Sequence, residues 1–129
     1  MKEIFTYCDE TGIAPVIEFL KKADSKIRAK FRYQINVIKC AGQLACEPHI
    51  KHFSIERYKQ FYEFRIKTSG KIVRIIFCEF GESIVLLHAF YKKDKRDTEH
   101  ALDHTLKLVS NLDISSCIPF KELYEVVES

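Results

Sequence analysis

Near the middle of the chain, three strand-like segments follow one another with only short turns between them. In the first segment, residues 61–67, apolar and charged side chains alternate, which is typical of an antiparallel strand with one buried face. A turn with Gly70 leads to residues 71–80, and a turn with Gly81 leads to residues 83–91. The second and third segments are richer in Ile, Val, Leu and Phe, so we expect them to be the central strands of an antiparallel meander.

Strand-like and helical segments precede this meander. Residues 3–8 indicate a first strand, and Pro15 is expected at the start of a first helix, where its missing N–H is tolerated. Ser25 is expected to cap a second helix that ends near Gly42. The two helices form an αα-hairpin. The apolar stripe of the second helix consists of Ile27, Phe31, Ile35 and Ile38.

The segment after the meander predicts a third helix and an extension. Asp97 or Thr98 is the expected cap of the third helix, and a short amphipathic helix is predicted from Pro119. The fold class is therefore α+β: an N-terminal strand, an αα-hairpin, an antiparallel three- to four-stranded meander and a C-terminal helix, with the helices on one face of the sheet. We expect one domain over residues 1–112 and an acidic extension over residues 113–129.

The charge of the chain is unevenly distributed. The 129 residues carry a formal net charge of +3. Residues 51–96 hold 11 Lys and Arg against 5 Asp and Glu, whereas residues 97–129 hold 2 against 7. A basic centre indicates a polyanionic ligand. No apolar run approaches the roughly 20 residues of a membrane span, and no signal-peptide pattern begins the chain, so we expect a cytoplasmic protein without a membrane partner.

Four short stretches of the chain together form a recognisable pattern. They are Glu47-Pro48-His49-Ile50-Lys51, Phe61-Tyr62-Glu63-Phe64-Arg65, Val73-Arg74-Ile75-Ile76-Phe77 and Val85-Leu86-Leu87-His88-Ala89-Phe90-Tyr91-Lys92-Lys93. Over residues 2–110 their content and order are similar to the phage-derived HigB branch of the RelE/ParE toxin superfamily. The resemblance implies a RelE-like fold and the toxin of a type II toxin–antitoxin pair. Such a toxin cuts mRNA on the ribosome as a metal-independent endoribonuclease, needs no cofactor, and is neutralised by a small helix-turn-helix antitoxin.

Two arginines of the meander are the candidate fixed cations. Metal-free RNA cleavage uses the ribose 2′-OH as nucleophile, and cations stabilise the charge that gathers on the phosphorus oxygens. The resemblance places Arg74 on the second-strand arginine of RelE-type toxins and Arg65 near one of their first-strand lysines. The alternative is that both arginines form ion pairs with Glu63 or Glu79 on the sheet.

Proton transfer and RNA binding have their own candidates. His88 is the expected acid or base because imidazole titrates near neutrality, although a histidine bonded within the sheet is an equal alternative. RelE-type toxins have a tyrosine near the last helix that this chain lacks, and Glu63 stands where they have a lysine, so it is either a base or a partner of an arginine. Six aromatic residues could stack on unpaired bases: Tyr33, Tyr58, Phe61, Tyr62, Phe90 and Tyr91. Most of them are expected in the core or an interface, and Tyr58 and Tyr91 are the candidates expected to be exposed. The expected phosphate contacts are Lys67, Lys92, Lys93, Lys95 and Arg96.

Other functions stay open at this level. His100 and His104 have the i, i+4 spacing of metal ligands, but no matching Cys or carboxylate set accompanies them, so we expect no metal. Within the superfamily, a ParE-like toxin directed against gyrase is an alternative, and the density of cations on the sheet favours RNA. A non-catalytic nucleic-acid- or partner-binding domain is the third alternative, and ion-paired, buried Arg65 and Arg74 would favour it.

Overall fold

The structure is a computed structural model that describes residues 3–41 and 49–120. As far as the third helix, its helices and strands follow the predicted order, with single 3₁₀ turns after β2 and after α3, whereas the last short strand was not predicted. The elements are β1 (Glu3–Thr6), α1 (Pro15–Lys22), α2 (Ser25–Ala41), β2 (Ile50–His52), β3 (Phe61–Thr68), β4 (Lys71–Phe80), β5 (Ser83–Tyr91), α3 (Lys95–Ser110) and β6 (Ile118–Pro119).

One mixed sheet contains all of these strands, in the order β2-β3-β4-β5-β1-β6. The α+β class is confirmed, and β3, β4 and β5 form the predicted antiparallel meander with its two later strands inside the sheet. The sheet is larger than expected, because β1 adds to β5 in parallel and β6 pairs antiparallel with β1. Both turns of the meander use glycine at positive φ, at Gly70 (79°) and Gly81 (64°).

The helices cover both faces of the sheet, so the prediction of one helical face was wrong. On one face, α1 and α2 bury residues such as Leu20 and Phe31 against Phe64 of β3. On the other face, α3 places Leu102 over Leu87 of β5. The physical reason is that β4 and β5 carry consecutive apolar side chains, and a strand buried on both faces needs cover on both.

The caps of two helices differ from those predicted. The carboxylate of Asp24, rather than Ser25, caps α2 by accepting a hydrogen bond from the Ile27 N–H at 3.1 Å. In α3 the cap is Asp94, whose side chain accepts from the Arg96 N–H at 2.7 Å. Asp97 completes this capping box from inside the helix by accepting from the Asp94 N–H at 2.9 Å. Thus neither Asp97 nor Thr98 is the cap. The predicted helix end at Gly42 lies outside the described residues.

The end of the described chain returns to the sheet. Pro119 lies in β6 beside Phe5 of β1, and Phe120 is buried with its ring 5.7 Å from that of Phe31 in α2. A helix starting at Pro119 would fall almost entirely outside the described residues. None of the helices in the described ranges combines the length and apolar character that crossing a bilayer requires.

Candidate functional site

Arg65 and Arg74 lie directly opposite each other on neighbouring strands β3 and β4. Two like charges in this position repel, and a carboxylate offsets the repulsion. This carboxylate belongs to Glu63, whose Oε1 lies 3.3 Å from Arg65 Nε and 3.4 Å from Arg74 Nε. The side chain of Glu63 is 2% exposed, that of Arg74 13% and that of Arg65 29%. Both arginines therefore form the ion pairs that the sequence suggested as an alternative, and Glu63 is the partner that they share.

This three-residue cluster is charged but incompletely hydrogen-bonded. Glu63 Oε2 and Arg74 Nε are buried without an aligned hydrogen bond in the described part of the chain, as is Oε1 of the neighbouring Gln34. Burial lowers the pKa of the Arg74 guanidinium, Glu63 opposes this shift, and Arg65 adds to it. Arginine nevertheless stays protonated in proteins, so the cluster carries a net positive charge and polar atoms that can still gain partners.

A cleft opens beside the two arginines and is called the arginine cleft below. It has a volume of about 640 Å³ and wraps around the edge of β3 between that strand and α2. Four of its side chains are cationic, which makes it a site for an anion. Its lining residues are Ala29, Lys30, Tyr33, Gln34, His49, Arg65, Lys67 and Arg74.

Side chains of α2 hold the wall of the arginine cleft to its floor. β2 pairs with β3 only as far as Phe64, which leaves later carbonyl groups of β3 without a strand partner on that side. Gln34 Nε2 donates to the Arg65 carbonyl oxygen at 3.0 Å, and Lys30 Nζ donates to that of Lys67 at 2.5 Å. These bonds protect the strand edge and fix the helix beside the arginines.

A bulge in β5 turns His88 to the face that carries the arginines. The pairing of β4 with β5 shifts by one residue between Ile76 and Phe77, so that His88 lies opposite Ile76 and diagonal to Arg74. The His88 ring lies 4.7 Å from that of His104 at a tilt of 50°, and it stacks on the ring of Phe90 at 5.8 Å. Burial, with a smaller effect of His104, lowers the pKa of His88 to about 4. His88 is therefore neutral at physiological pH and lines a separate pocket of about 260 Å³ rather than the arginine cleft.

The predicted phosphate contacts extend the same face towards its end. Lys67 pairs with Ile72, and the Lys92 N–H donates to the Ile72 carbonyl oxygen at 2.8 Å, so the two lysines flank one residue of β4. Lys93 is exposed at the end of β5. Because Asp94 caps α3 earlier in the chain than predicted, Lys95 and Arg96 lie in the first turn of the helix, and both are exposed.

The two predicted stacking residues lie elsewhere. Tyr58 is buried, and its hydroxyl donates to Asp103 Oδ1 at 2.6 Å, so its predicted exposure was wrong. Tyr91 lies on the opposite face of the sheet, with its ring 4.9 Å from that of Phe19 in α1. The exposed aromatic residue of the arginine cleft is Tyr33, at 68%. Tyr33 was one of the six aromatic residues considered for base stacking, and its position off the apolar stripe of α2 was the sequence signal for its exposure.

His100 and His104 are both exposed on α3. They share a pocket with His88 and Asp97, but the Asp97 carboxylate accepts the Lys93 and Asp94 N–H groups. Within residues 3–41 and 49–120, no group of three or more His, Cys, Asp or Glu side chains could hold a metal ion.

Comparison with known proteins gives one family and one structure. The family model described as "Phage derived protein Gp49-like (DUF891)" matches residues 18–110. No curated protein matches the chain. Among solved structures, the RelB-RelE antitoxin-toxin complex from Methanococcus jannaschii is similar at 18% sequence identity and a TM-score of 0.48, over 65% of this chain and 87% of that chain.

Proposed function

Since the chain belongs to the Gp49-like family of phage-derived proteins, we propose that it is the toxin of a type II toxin–antitoxin pair and cuts mRNA on the ribosome without a metal ion. The matched residues, 18–110, include the arginine cleft, His88 and the basic end of β5. The similarity of the chain's motifs to phage-derived HigB toxins supports the same role. The observation that carries the proposal is the juxtaposition of Arg65 and Arg74, which one buried carboxylate fixes beside a cationic cleft.

Such a pair suits the chemistry of metal-free RNA cleavage. The ribose 2′-oxygen attacks the adjacent phosphorus, the 5′-oxygen leaves, and a cyclic phosphate remains. Negative charge grows on the non-bridging oxygens during attack, and positively charged donors held in place lower that barrier. The guanidinium groups of Arg65 and Arg74 would bind those oxygens through their terminal nitrogens, a geometry that arginine offers and lysine does not.

His88 is the residue we propose as proton acceptor. Its lowered pKa, about 4, keeps the imidazole neutral, so its lone pair can accept the 2′-OH proton, although it is a weaker base than an ordinary histidine. The neutral imidazole is not an acid at the start, so the proton for the leaving 5′-oxygen would come from a water molecule, and the proton on His88 would return to the solvent. Its place diagonal to Arg74 puts it on the face where the phosphate would lie.

The phosphates on either side of the cut would meet the basic end of the sheet. Lys67 and Lys92 flank Ile72 there, and Lys93, Lys95 and Arg96 continue the positive surface into α3. Phosphate contacts of this kind position a strand without reading its sequence. A small helix-turn-helix antitoxin that covers this surface is the proposed protein partner, and co-expression with it should restore growth.

Expression from an inducible promoter without an antitoxin tests the role of the protein. Pulse labelling should show protein synthesis falling before DNA synthesis, and primer extension should show new 5′ ends within translated mRNA. If DNA synthesis stops first and gyrase–DNA complexes accumulate, the protein is a gyrase poison instead. A culture whose growth and protein synthesis are unaffected would instead support the non-catalytic alternative.

Variants of Arg74 test the mechanism. Arg74→Lys keeps a charge beside Glu63 but loses the planar fork, so the domain should stay folded while cleavage of translated mRNA falls by about 10²–10³-fold. Lys22→Ala, which removes an exposed cation from α1, is the control and should cleave at the wild-type rate. A folded Arg74→Lys protein with wild-type activity would exclude Arg74 from the reaction.

A further inference from the structure

Tyr33 exposes a large aromatic ring inside a cationic cleft. Its side chain is 68% exposed, and within the described part of the chain its ring stacks on no other aromatic ring. Exposed aromatic surface costs solvation free energy, whereas nucleic-acid-binding proteins use such rings as platforms for unpaired bases. The ring therefore has a free face next to Arg65 and Lys67, which line the same arginine cleft.

The helix presents this ring in an open position. Ala29 and Tyr33 are i, i+4 neighbours on the outer row of α2, and long helical side chains lean back over the preceding turn. Ala29 is exposed and has only a methyl group, so the residue four positions earlier does not cover the ring of Tyr33. The inner row, Lys30 and Gln34, is held to the backbone of β3 by its two hydrogen bonds. Tyr33 thus stands on a wall whose distance from the arginines is fixed.

We propose that the wall of α2 in the arginine cleft is a nucleobase-binding subsite, in which an unpaired RNA base stacks on Tyr33 while Arg65, Arg74 and Lys67 hold its phosphates. The cleft volume of about 640 Å³ is within the range of sites that enclose a nucleotide-sized ligand. This inference rests on the proposed function for its choice of RNA. It adds a second surface to that site, because the predicted cations and His88 lie on the strands of the meander or after them, whereas Tyr33 lies on α2.

Binding of a short RNA tests the subsite without requiring cleavage. The probe is a fluorescein-labelled, single-stranded hexaribonucleotide, titrated with the full-length protein at low ionic strength and followed by anisotropy. Tyr33→Ala should weaken its affinity by about tenfold, or ~1.4 kcal/mol. Tyr33→Phe keeps the ring and should bind within about twofold of wild type. Raising the salt concentration should weaken all three, because the phosphates are held by cations.

Ile55→Ala is the matched control, because Ile55 is similarly exposed at 62% and lies outside the arginine cleft. Its substitution should leave the affinity unchanged. Equal binding by Tyr33→Ala and wild type would overturn the subsite, as would the absence of hexamer binding by wild type. Translated mRNA that stays intact in the presence of wild-type protein would refute the proposed nuclease, and a tenfold effect of Tyr33→Ala on RNA binding would still support the subsite.

Discussion

Substitution of Glu63 by glutamine should destabilise the protein strongly, although it changes only one atom. Glu63 is buried and its Oε1 is the nearest carboxylate atom to both Arg65 Nε and Arg74 Nε. Removing one partner of a buried ion pair typically costs 3–5 kcal/mol, because the other charge stays buried and unpaired. Both arginines keep some contact with water, so we expect the low end of this range, about 3 kcal/mol.

This free energy converts into a measurable melting temperature. Unfolding entropy near 60 °C is about 2.1 cal/mol/K per residue, or about 0.27 kcal/mol/K for a chain of 129 residues. A loss of about 3 kcal/mol therefore lowers Tm by about 11 °C. Thermal melts followed by circular dichroism measure the shift. Added salt should recover part of it by screening the repulsion between Arg65 and Arg74.

Glu82→Gln is the control for this experiment. Glu82 is exposed in the turn between β4 and β5, and a surface substitution of this kind usually changes stability by less than about 0.5 kcal/mol. If Glu63→Gln lowers Tm by no more than the control does, the carboxylate does not hold the two guanidinium groups together. The account of the arginine cleft as a site fixed in advance would then be refuted.

Two further predictions concern stability. The pKa of His88 is lowered to about 4 in the folded protein, whereas in the unfolded chain it stays near 6.5. As the pH falls, the unfolded chain therefore protonates His88 before the folded protein does. The free energy of unfolding is thus unaffected by His88 above about pH 6.5 and decreases between about pH 6.5 and about pH 4. We expect that loss to be about 2 kcal/mol after allowance for partial solvation, and thermal melts over this pH range should show a smaller acid effect for His88→Gln than for wild type. Phe120→Ala should lower the free energy of unfolding by about 3–4 kcal/mol, since it empties a buried site beside Phe31; urea denaturation measures this, and a loss below about 1 kcal/mol would show that the segment after α3 does not belong to the core.

The arrangement of the meander could be predicted because local signals determine it. The turn at Gly70 brings Thr68 opposite Lys71, and this spacing alone puts Arg65 opposite Arg74. The sequence also indicates that helices cover both faces of the sheet, although only one helical face was predicted. Residues 75–78 and 84–87 are unbroken apolar runs, which indicate strands buried on both sides.

The rest of the site depends on contacts that no local pattern encodes. Without the bulge, continued pairing from Phe80 opposite Ser83 would bring Ile75 opposite His88 and turn the imidazole to the face of α1 and α2. The wall of the arginine cleft likewise arises because β2 stops short along β3, which lets α2 contact the free edge through Lys30 and Gln34. Lys30 lies on the helix, and only the tertiary packing brings it beside the arginines.

The ion pairs of Arg65 and Arg74 are compatible with anion binding because of the atoms that they use. Each guanidinium contacts Glu63 Oε1 through Nε, at 3.3 Å for Arg65 and 3.4 Å for Arg74, and this contact does not use the two terminal nitrogens. One carboxylate also neutralises only one of two positive charges, and Lys30 and Lys67 add two more around the same cleft. A buried carboxylate in this position fixes the orientation of both guanidinium groups and offsets the repulsion between Arg65 and Arg74. Glu63 therefore makes it possible for two arginines to act on one phosphate.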